Sequence, residues 1–151
     1  MQQENGSYVY TTKAPEETAA LAYKVAFLLR PSDVVLLKGD LGVGKSIFAR
    51  ALIQALCGEE TVVPSPTFTL VQIYKAPSFD IWHFDLYRLK HPSEVDELGI
   101  EEAYAGGVCL IEWPERLGTN MPKDYLEIEL EYGSHEKERI LSLRGWSNRL
   151  S

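Results

Sequence analysis

The fold of this chain is decided by residues 33 to 46, which read Asp33-Val34-Val35-Leu36-Leu37-Lys38-Gly39-Asp40-Leu41-Gly42-Val43-Gly44-Lys45-Ser46. The first half is a short apolar run, typical of a strand that is buried on both faces of a sheet. The second half fits G-x-x-x-x-G-K-[ST], and residues 45 to 56 are predicted to be helical. A strand, a glycine-rich turn and a helix in this order predict a P-loop, which binds nucleotide phosphates.

Each part of the motif has a physical role in binding phosphate. The glycines let backbone N–H groups turn inward, and the helix that begins near Lys45 adds the positive end of its dipole. Lys45 supplies a mobile charge for the β- and γ-phosphates, and the Ser46 hydroxyl is a ligand for Mg²⁺. We therefore expect ATP and Mg²⁺ as cofactors, with the nucleotide bound by Gly39, Asp40, Leu41, Gly42, Val43, Gly44, Lys45, Ser46 and Ile47.

A P-loop also needs a carboxylate for the metal, normally at the end of a neighbouring apolar strand. Glu112 is the best candidate, because it follows the apolar residues 108 to 111 and precedes Trp113-Pro114, where the strand stops. It would lie at the carboxyl edge of the sheet, where α/β proteins bind ligands. The alternative is a solvated glutamate at a strand end.

A second acidic candidate lies in the predicted strand from Ile81 to Tyr87. In an extended strand, His83, Asp85 and Tyr87 project from one face, and the apolar residues between them project from the other. Asp85 can orient or deprotonate water, or touch Mg²⁺ through water, so we assign it a catalytic role. The competing interpretation is the polar, wet face of a β-hairpin.

Two further segments near this strand are candidates for contact with the phosphates. Ser65-Pro66-Thr67-Phe68 predicts a loop whose Ser or Thr hydroxyl senses the γ-phosphate, as switch segments do. The alternative for this segment is a plain proline turn. Arg88 is a weaker candidate for neutralising charge in the transition state, because an arginine at a strand end more often forms a surface ion pair.

The remaining patterns predict an α/β fold. We expect a P-loop NTPase-like three-layer domain with a mixed, partly parallel sheet and antiparallel hairpins, formed by residues 1–151 with 1–6 and 145–151 peripheral. Strands are predicted at residues 7–12, 68–74, 81–87, 107–112, 125–132 and 139–143. Helices are predicted from Pro15 to Pro31, from a capping box at Ser93 to about Gly99, and from Glu101 to Tyr104.

Composition excludes several classes of protein. No apolar run approaches the roughly 18–20 residues that cross a bilayer, and the first six residues do not resemble a signal peptide, so we expect a cytoplasmic protein. Cys57 and Cys109 belong to no C-x-x-C pair, which predicts free thiols. The net charge of −7 opposes direct binding to nucleic acid.

Four blocks of the sequence together resemble the TsaE (YjeE) family, over roughly residues 8 to 143. The blocks are Gly-Asp-Leu-Gly-Val-Gly-Lys-Ser, Ser-Pro-Thr-Phe-Thr-Leu-Val, His-Phe-Asp-Leu-Tyr-Arg-Leu and Ile-Glu-Trp-Pro-Glu. The resemblance implies a bacterial ATPase that is required, with the partners TsaD and TsaB, for threonylcarbamoyl modification of the adenosine beside the anticodon in certain tRNAs. The chemistry on tRNA belongs to TsaD.

The resemblance also implies roles for individual residues. Lys45 and Ser46 would contact phosphate and Mg²⁺, Thr67 would belong to a switch-like loop, Asp85 would be the essential acid, and Glu112 would be the metal-side acid. Ser46 stands where the family often has Thr, and Ile100 replaces the leucine of the usual Gly-Leu-Glu-Glu. We expect weak hydrolysis by the chain alone, stimulation by TsaB and TsaD, and contact with tRNA only through that complex.

Three other functions remain as alternatives. A small-molecule kinase usually closes several arginines over the transferred phosphate. The only basic residues between Glu112 and Tyr125 are Arg116 and Lys123. A GTPase-like switch would commonly carry an Asn-Lys-x-Asp motif, which is absent. A structural adaptor that binds no nucleotide would require the P-loop pattern to be accidental.

Overall fold

The structure is a computed structural model that describes residues 2–4 and 7–150. Its strands are β1 (Gln2–Glu4), β2 (Ser7–Thr12), β3 (Val34–Lys38), β4 (Val71–Lys75), β5 (Asp80–Asp85), β6 (Val108–Glu112), β7 (Leu126–Tyr132) and β8 (Arg139–Arg144). Its helices are α1 (Pro15–Ala26), α2 (Lys45–Cys57), α3 (Glu94–Glu97), α4 (Ile100–Gly106) and α5 (Ser147–Leu150), with a 3₁₀ segment at Pro114–Asn120 that is interrupted at Gly118.

The described strands form one mixed sheet in the order β1-β2-β8-β7-β3-β6-β5-β4. The central strand β3 is parallel to both of its neighbours, β6 and β7, and β5 is parallel to β6. The other pairs are antiparallel, including the predicted hairpin of β4 and β5. This arrangement explains why residues 34 to 37 of β3 are apolar and buried, since a central parallel strand is covered on both faces.

Helices cover both faces of the sheet and create two hydrophobic cores. On one face, α1 and α2 pack on alternate residues of the central strands, such as Val35, Leu37 and Leu110. On the other face, α3, α4 and the 3₁₀ segment pack on the residues between them, such as Leu36 and Ile111. The predicted three-layer α/β fold is therefore confirmed.

Four local predictions differ from the structure. The helix predicted to reach Pro31 ends at Ala26. The strand predicted at Phe68 begins only at Val71, because Leu70 adopts a positive φ of 70° in a turn that bonds its N–H to the Pro66 carbonyl. The strand predicted to reach Tyr87 ends at Asp85. A helix does begin after Ser93, but no side-chain cap forms there, so the capping box is wrong. The Glu94 carboxylate instead accepts a hydrogen bond from the His91 N–H.

The ends of the chain, predicted to be peripheral, contribute to the fold where they are described. Residues 2–4 form the edge strand β1, and Trp146 packs in the core beneath α1 and α2. Residues 1, 5, 6 and 151 lie outside the described residues.

Both cysteines are free as predicted, and burial raises the pKa of Cys109 to about 12. Among the described residues, every helix is too short or too polar to span a bilayer.

We predict that Gly39→Ala destabilises the fold by about 1–3 kcal/mol, the usual cost of a strained backbone position. Gly39 has a φ of 146°, and an added Cβ would lie 2.7 Å from the Leu130 carbonyl oxygen of β7. Chemical denaturation would measure the free energy of unfolding. Gly106→Ala is the matched control, because nothing lies within 4 Å of a Cβ there. Equal stability of the two variants would contradict the prediction.

Candidate functional site

The P-loop connects β3 to α2 at the carboxyl edge of the sheet. Its three glycines, Gly39, Gly42 and Gly44, have φ values of 146°, 82° and 120°, which other residues rarely adopt. The Val43 N–H bonds to the Asp40 carbonyl at 3.2 Å, which closes a tight turn before the helix. The predicted sequence of strand, turn and helix is therefore present, with the N-terminus of α2 at the turn.

Lys45, the first residue of α2, is buried to 4% exposure although it carries a charge. Its ammonium donates a hydrogen bond to the Gly39 carbonyl and lies 3.6 Å from the centre of the Trp113 ring. Burial lowers the pKa of Lys45, and nearby carboxylates, led by Glu112 and then Asp85, oppose that shift. The lysine is thus held inside the site by weak acceptors that an anion could replace.

Asp85 and Glu112 lie side by side at the ends of the parallel strands β5 and β6, paired in register. By strand alternation, both side chains are on the face of the sheet that α2 covers. Their exposed fractions are 5% and 4%. These values contradict the two solvent-exposed alternatives, the wet hairpin face for Asp85 and the solvated strand end for Glu112.

The predicted switch-like loop contacts Asp85 directly. The Thr67 hydroxyl donates to one carboxylate oxygen of Asp85 at 3.1 Å, and the Tyr87 N–H donates to the other at 3.1 Å. Ser65 and Thr67 share a hydrogen bond of 2.7 Å between their hydroxyls. Both oxygens of Asp85 are therefore oriented, one of them by the loop between α2 and β4.

Other candidate residues are arranged around this centre. Ser46 is exposed in the first turn of α2, directly after Lys45. Ile47 lines a small cavity beside the P-loop together with Thr18, Gly42, Lys137 and Arg139, among others. Asp40 and Leu41 are exposed at the tip of the P-loop. The guanidinium of Arg88 stacks on the exposed Phe68 ring, 4.6 Å from its centre.

Three residues contribute to the site without having been assigned a role from sequence. His83 Nε2 lies 2.7 Å from a carboxylate oxygen of Glu112. Trp113, at a positive φ of 60°, contacts both Lys45 and the ring of Tyr87. Arg139 Nε donates to the Val43 carbonyl of the P-loop at 2.8 Å. Of these three, only His83 could have been found from sequence, because it shares a strand face with Asp85. The contacts of Trp113 and Arg139 depend on tertiary structure.

The donors at this edge suit Mg²⁺, which prefers oxygen ligands and usually keeps only one or two protein carboxylates. Asp85 and Glu112 supply carboxylates, and Ser46 adds a hydroxyl next to Lys45. Within the part of the chain that the structure describes, no cluster of three or more His, Cys, Asp or Glu side chains forms a closed metal site. An open set of this kind fits a magnesium ion that is held partly by nucleotide phosphates.

A larger cavity lies at the opposite, amino-terminal edge of the parallel strands. Several of its charged groups are paired with one another: Arg149 forms a two-point ion pair with Asp33, at 2.6 and 3.0 Å, and Arg144 pairs with Glu127. Ligands of α/β sheets bind at the carboxyl ends of the strands. The P-loop edge is therefore the candidate site.

Comparison with known proteins gives one consistent result. The family model described as threonylcarbamoyl adenosine biosynthesis protein TsaE matches residues 12–141. The tRNA threonylcarbamoyladenosine biosynthesis protein TsaE of Rickettsia conorii is 50% identical over 89% of this chain and 77% of that protein. The corresponding Bacillus subtilis protein is 36% identical, over 87% of this chain and 82% of its own length.

A solved structure agrees with these relatives in fold. The crystal structure of Bacillus subtilis YdiB superposes with a TM-score of 0.78 at 30% sequence identity, covering 98% of this chain and 91% of that one. The sequence comparisons and the structure comparison thus agree on one family, and its members share the fold described above. The chain belongs to the TsaE family, whose members take part in tRNA threonylcarbamoyladenosine biosynthesis.

Proposed function

We propose that this chain binds and hydrolyses Mg·ATP at the P-loop, in support of a TsaD–TsaB complex that modifies the adenosine beside the anticodon of tRNA. One observation carries the proposal: the buried Lys45 at the start of α2 faces two buried carboxylates, Asp85 and Glu112, at the ends of adjacent parallel strands. A glycine-rich turn without a ligand would gain nothing from burying these three charges, because desolvation of charged groups is costly.

The P-loop and Lys45 together bind the phosphates in this proposal. Inward-facing amides and the α2 N-terminus attract the phosphate oxygens. Lys45 then exchanges its contacts with the Gly39 carbonyl and the Trp113 ring for the stronger, charge-assisted contact with phosphate. The small cavity beside Gly42 and Arg139 adjoins the P-loop on the side away from the carboxylates, so the nucleoside would extend from the phosphates towards it.

Asp85 orients the attacking water and accepts its proton. Its two oxygens are held by the Thr67 hydroxyl and the Tyr87 N–H, so the carboxylate cannot rotate freely. A base that is already oriented pays little reorganisation cost as the reaction proceeds. Thr67 also connects Asp85 to the loop at residues 65 to 68, which we expect the γ-phosphate to order.

The oxygens that would hold Mg²⁺ are the Ser46 hydroxyl and the carboxylate of Glu112, and Asp85 would touch the ion only through a water molecule. When bound, Mg²⁺ neutralises charge on the phosphates.

The chain would act weakly alone and more strongly with its partners. Arg116, one of only two basic residues between Glu112 and Tyr125, donates to the Leu89 carbonyl at 2.8 Å and so braces the fold. An arginine lid of the kind that kinases close over phosphate is therefore not supported. The net charge of −7 favours contact with tRNA through TsaD and TsaB rather than directly.

We predict that Asp85→Asn lowers steady-state ATP hydrolysis by about a hundredfold, within the range of lost general-base catalysis. Affinity for Mg·ATP should change by no more than several-fold, because the P-loop and Lys45 are intact. The matched control is Asp80→Asn at the other end of β5, where Asp80 forms a surface pair with Lys75. Hydrolysis at the native rate by Asp85→Asn would contradict its role as the base.

The proposed function is tested by reconstitution with TsaB, TsaD and tRNA, measuring modification and ATP hydrolysis together. We expect the native chain to support both activities, and Lys45→Ala to support neither, because the mobile charge of the P-loop is lost. Mg·ATP at about 100 times its dissociation constant should stabilise the native chain by about 2.7 kcal/mol. It should stabilise the Lys45→Ala variant far less.

Lys24→Ala is the control for this experiment, since Lys24 is exposed on α1. Native levels of hydrolysis and modification with Lys45→Ala would refute the assignment of the site. Hydrolysis that is unchanged when TsaB and TsaD are added would refute the dependence on partners.

A further inference from the structure

His83 is buried beneath the carboxylate edge of the sheet and belongs to none of the roles given above. It lies on β5, two residues before Asp85, and only 2% of its surface is exposed. Its Nε2 atom lies 2.7 Å from the Oε2 atom of Glu112, which is itself buried. The histidine therefore contacts the carboxylate that the proposed function places beside the metal.

The geometry decides which ring nitrogen carries the proton. A carboxylate oxygen can only accept a hydrogen bond, so the proton between the two groups must be on His83 Nε2. Nδ1 is buried and has no hydrogen-bond partner among the described residues.

A hydrogen-bond donor at Nε2 suits a carboxylate whose position must be fixed. The hydrogen bond holds Oε2 of Glu112 and does not engage the other carboxylate oxygen. Lys45 is close enough to Glu112 for the carboxylate to influence its pKa. Without His83, the carboxylate would be free to rotate towards the ammonium and compete with phosphate for it.

We propose that His83 is a positioning residue, which holds Glu112 through its Nε2–H so that the other carboxylate oxygen is left for Mg²⁺. The proposal rests on the proposed function, because it gives Glu112 its metal-side role. Such supporting contacts orient metal-binding carboxylates in many proteins, and their loss typically costs 10–100-fold in metal affinity. The plain alternative is a histidine that only fills space beneath the P-loop.

Two variants separate these interpretations. The amide nitrogen of Gln occupies nearly the position of His Nε2, so His83→Gln can still donate to Glu112. The shorter Asn matches Nδ1, so His83→Asn removes the donor. For each variant, ATP binding is measured by calorimetry over a range of Mg²⁺ concentrations and again in EDTA.

We expect His83→Asn to raise the Mg²⁺ concentration that half-maximally strengthens ATP binding by about tenfold or more. The dissociation constant of ATP in EDTA should stay within about twofold of the native value, because the P-loop is unchanged. His83→Gln should restore the native Mg²⁺ dependence to within about threefold. In a Glu112→Gln background, His83→Asn should cause no further shift, because the two residues act as one unit. Equal shifts in the two His83 variants, or a shift that persists with Glu112→Gln, would overturn the proposal.

A separate measurement does not depend on nucleotide binding. In protein with ¹⁵N-labelled histidine, NMR reports which nitrogen of each ring carries the proton, and His83→Gln identifies the signal of His83 among the three histidines. A proton on Nε2 is expected; an Nε2 without a proton would overturn the proposal even if His83→Asn proved too unstable to assay. If the native chain binds no Mg·ATP, the proposed function fails first, while this spectrum still decides the pairing of His83 with Glu112.

Discussion

The parallel pairing of β3, β6 and β5 is the constraint on which the site depends. Parallel strands end at the same edge of a sheet, so the P-loop after β3 and the acids that end β6 and β5 must meet there. The register places Glu112 opposite Leu37 and Asp85 opposite Glu112. A shift of one residue in either pair would turn a carboxylate into the opposite hydrophobic core.

Burial of charged groups at that edge sets the electrostatics of the site and costs desolvation free energy. Two carboxylates and one ammonium lie in a nearly dry space, and His83 contacts one of the carboxylates. Desolvation is the largest influence on Lys45 and lowers its pKa, although the acids around it favour the charged form. The excess of negative charge among Asp85, Glu112 and Lys45 favours an additional cation in the same space, and the positive α2 N-terminus favours an anion next to it. Under the proposed function, Mg²⁺ and the nucleotide phosphates would meet both requirements.

The backbone around the site is supported from several directions. Gly39 approaches the Leu130 carbonyl of β7 too closely for any side chain, and Arg139 of β8 bonds to the Val43 carbonyl. These contacts brace the P-loop on the side away from the acids. On the acid side, Thr67 connects Asp85 to an exposed loop, whose tip Phe68 is 82% exposed. One half of the site is therefore braced by neighbouring strands, and the other half is attached to a surface loop.

The sequence alone determined the P-loop, the central strands, the three-layer fold and the candidates Lys45, Asp85 and Glu112, because periodicity and turn chemistry are local properties of the chain. Tertiary structure decided what those residues contact. Strand alternation placed His83 and Asp85 on one face of the sheet. That this face is buried became clear only from the structure, in which α2 covers it. The contacts of Lys45 with Trp113, of Glu112 with His83 and of Val43 with Arg139 join residues 29 to 96 positions apart. No local pattern encodes such pairs, since they arise only when packing and strand register bring distant segments together.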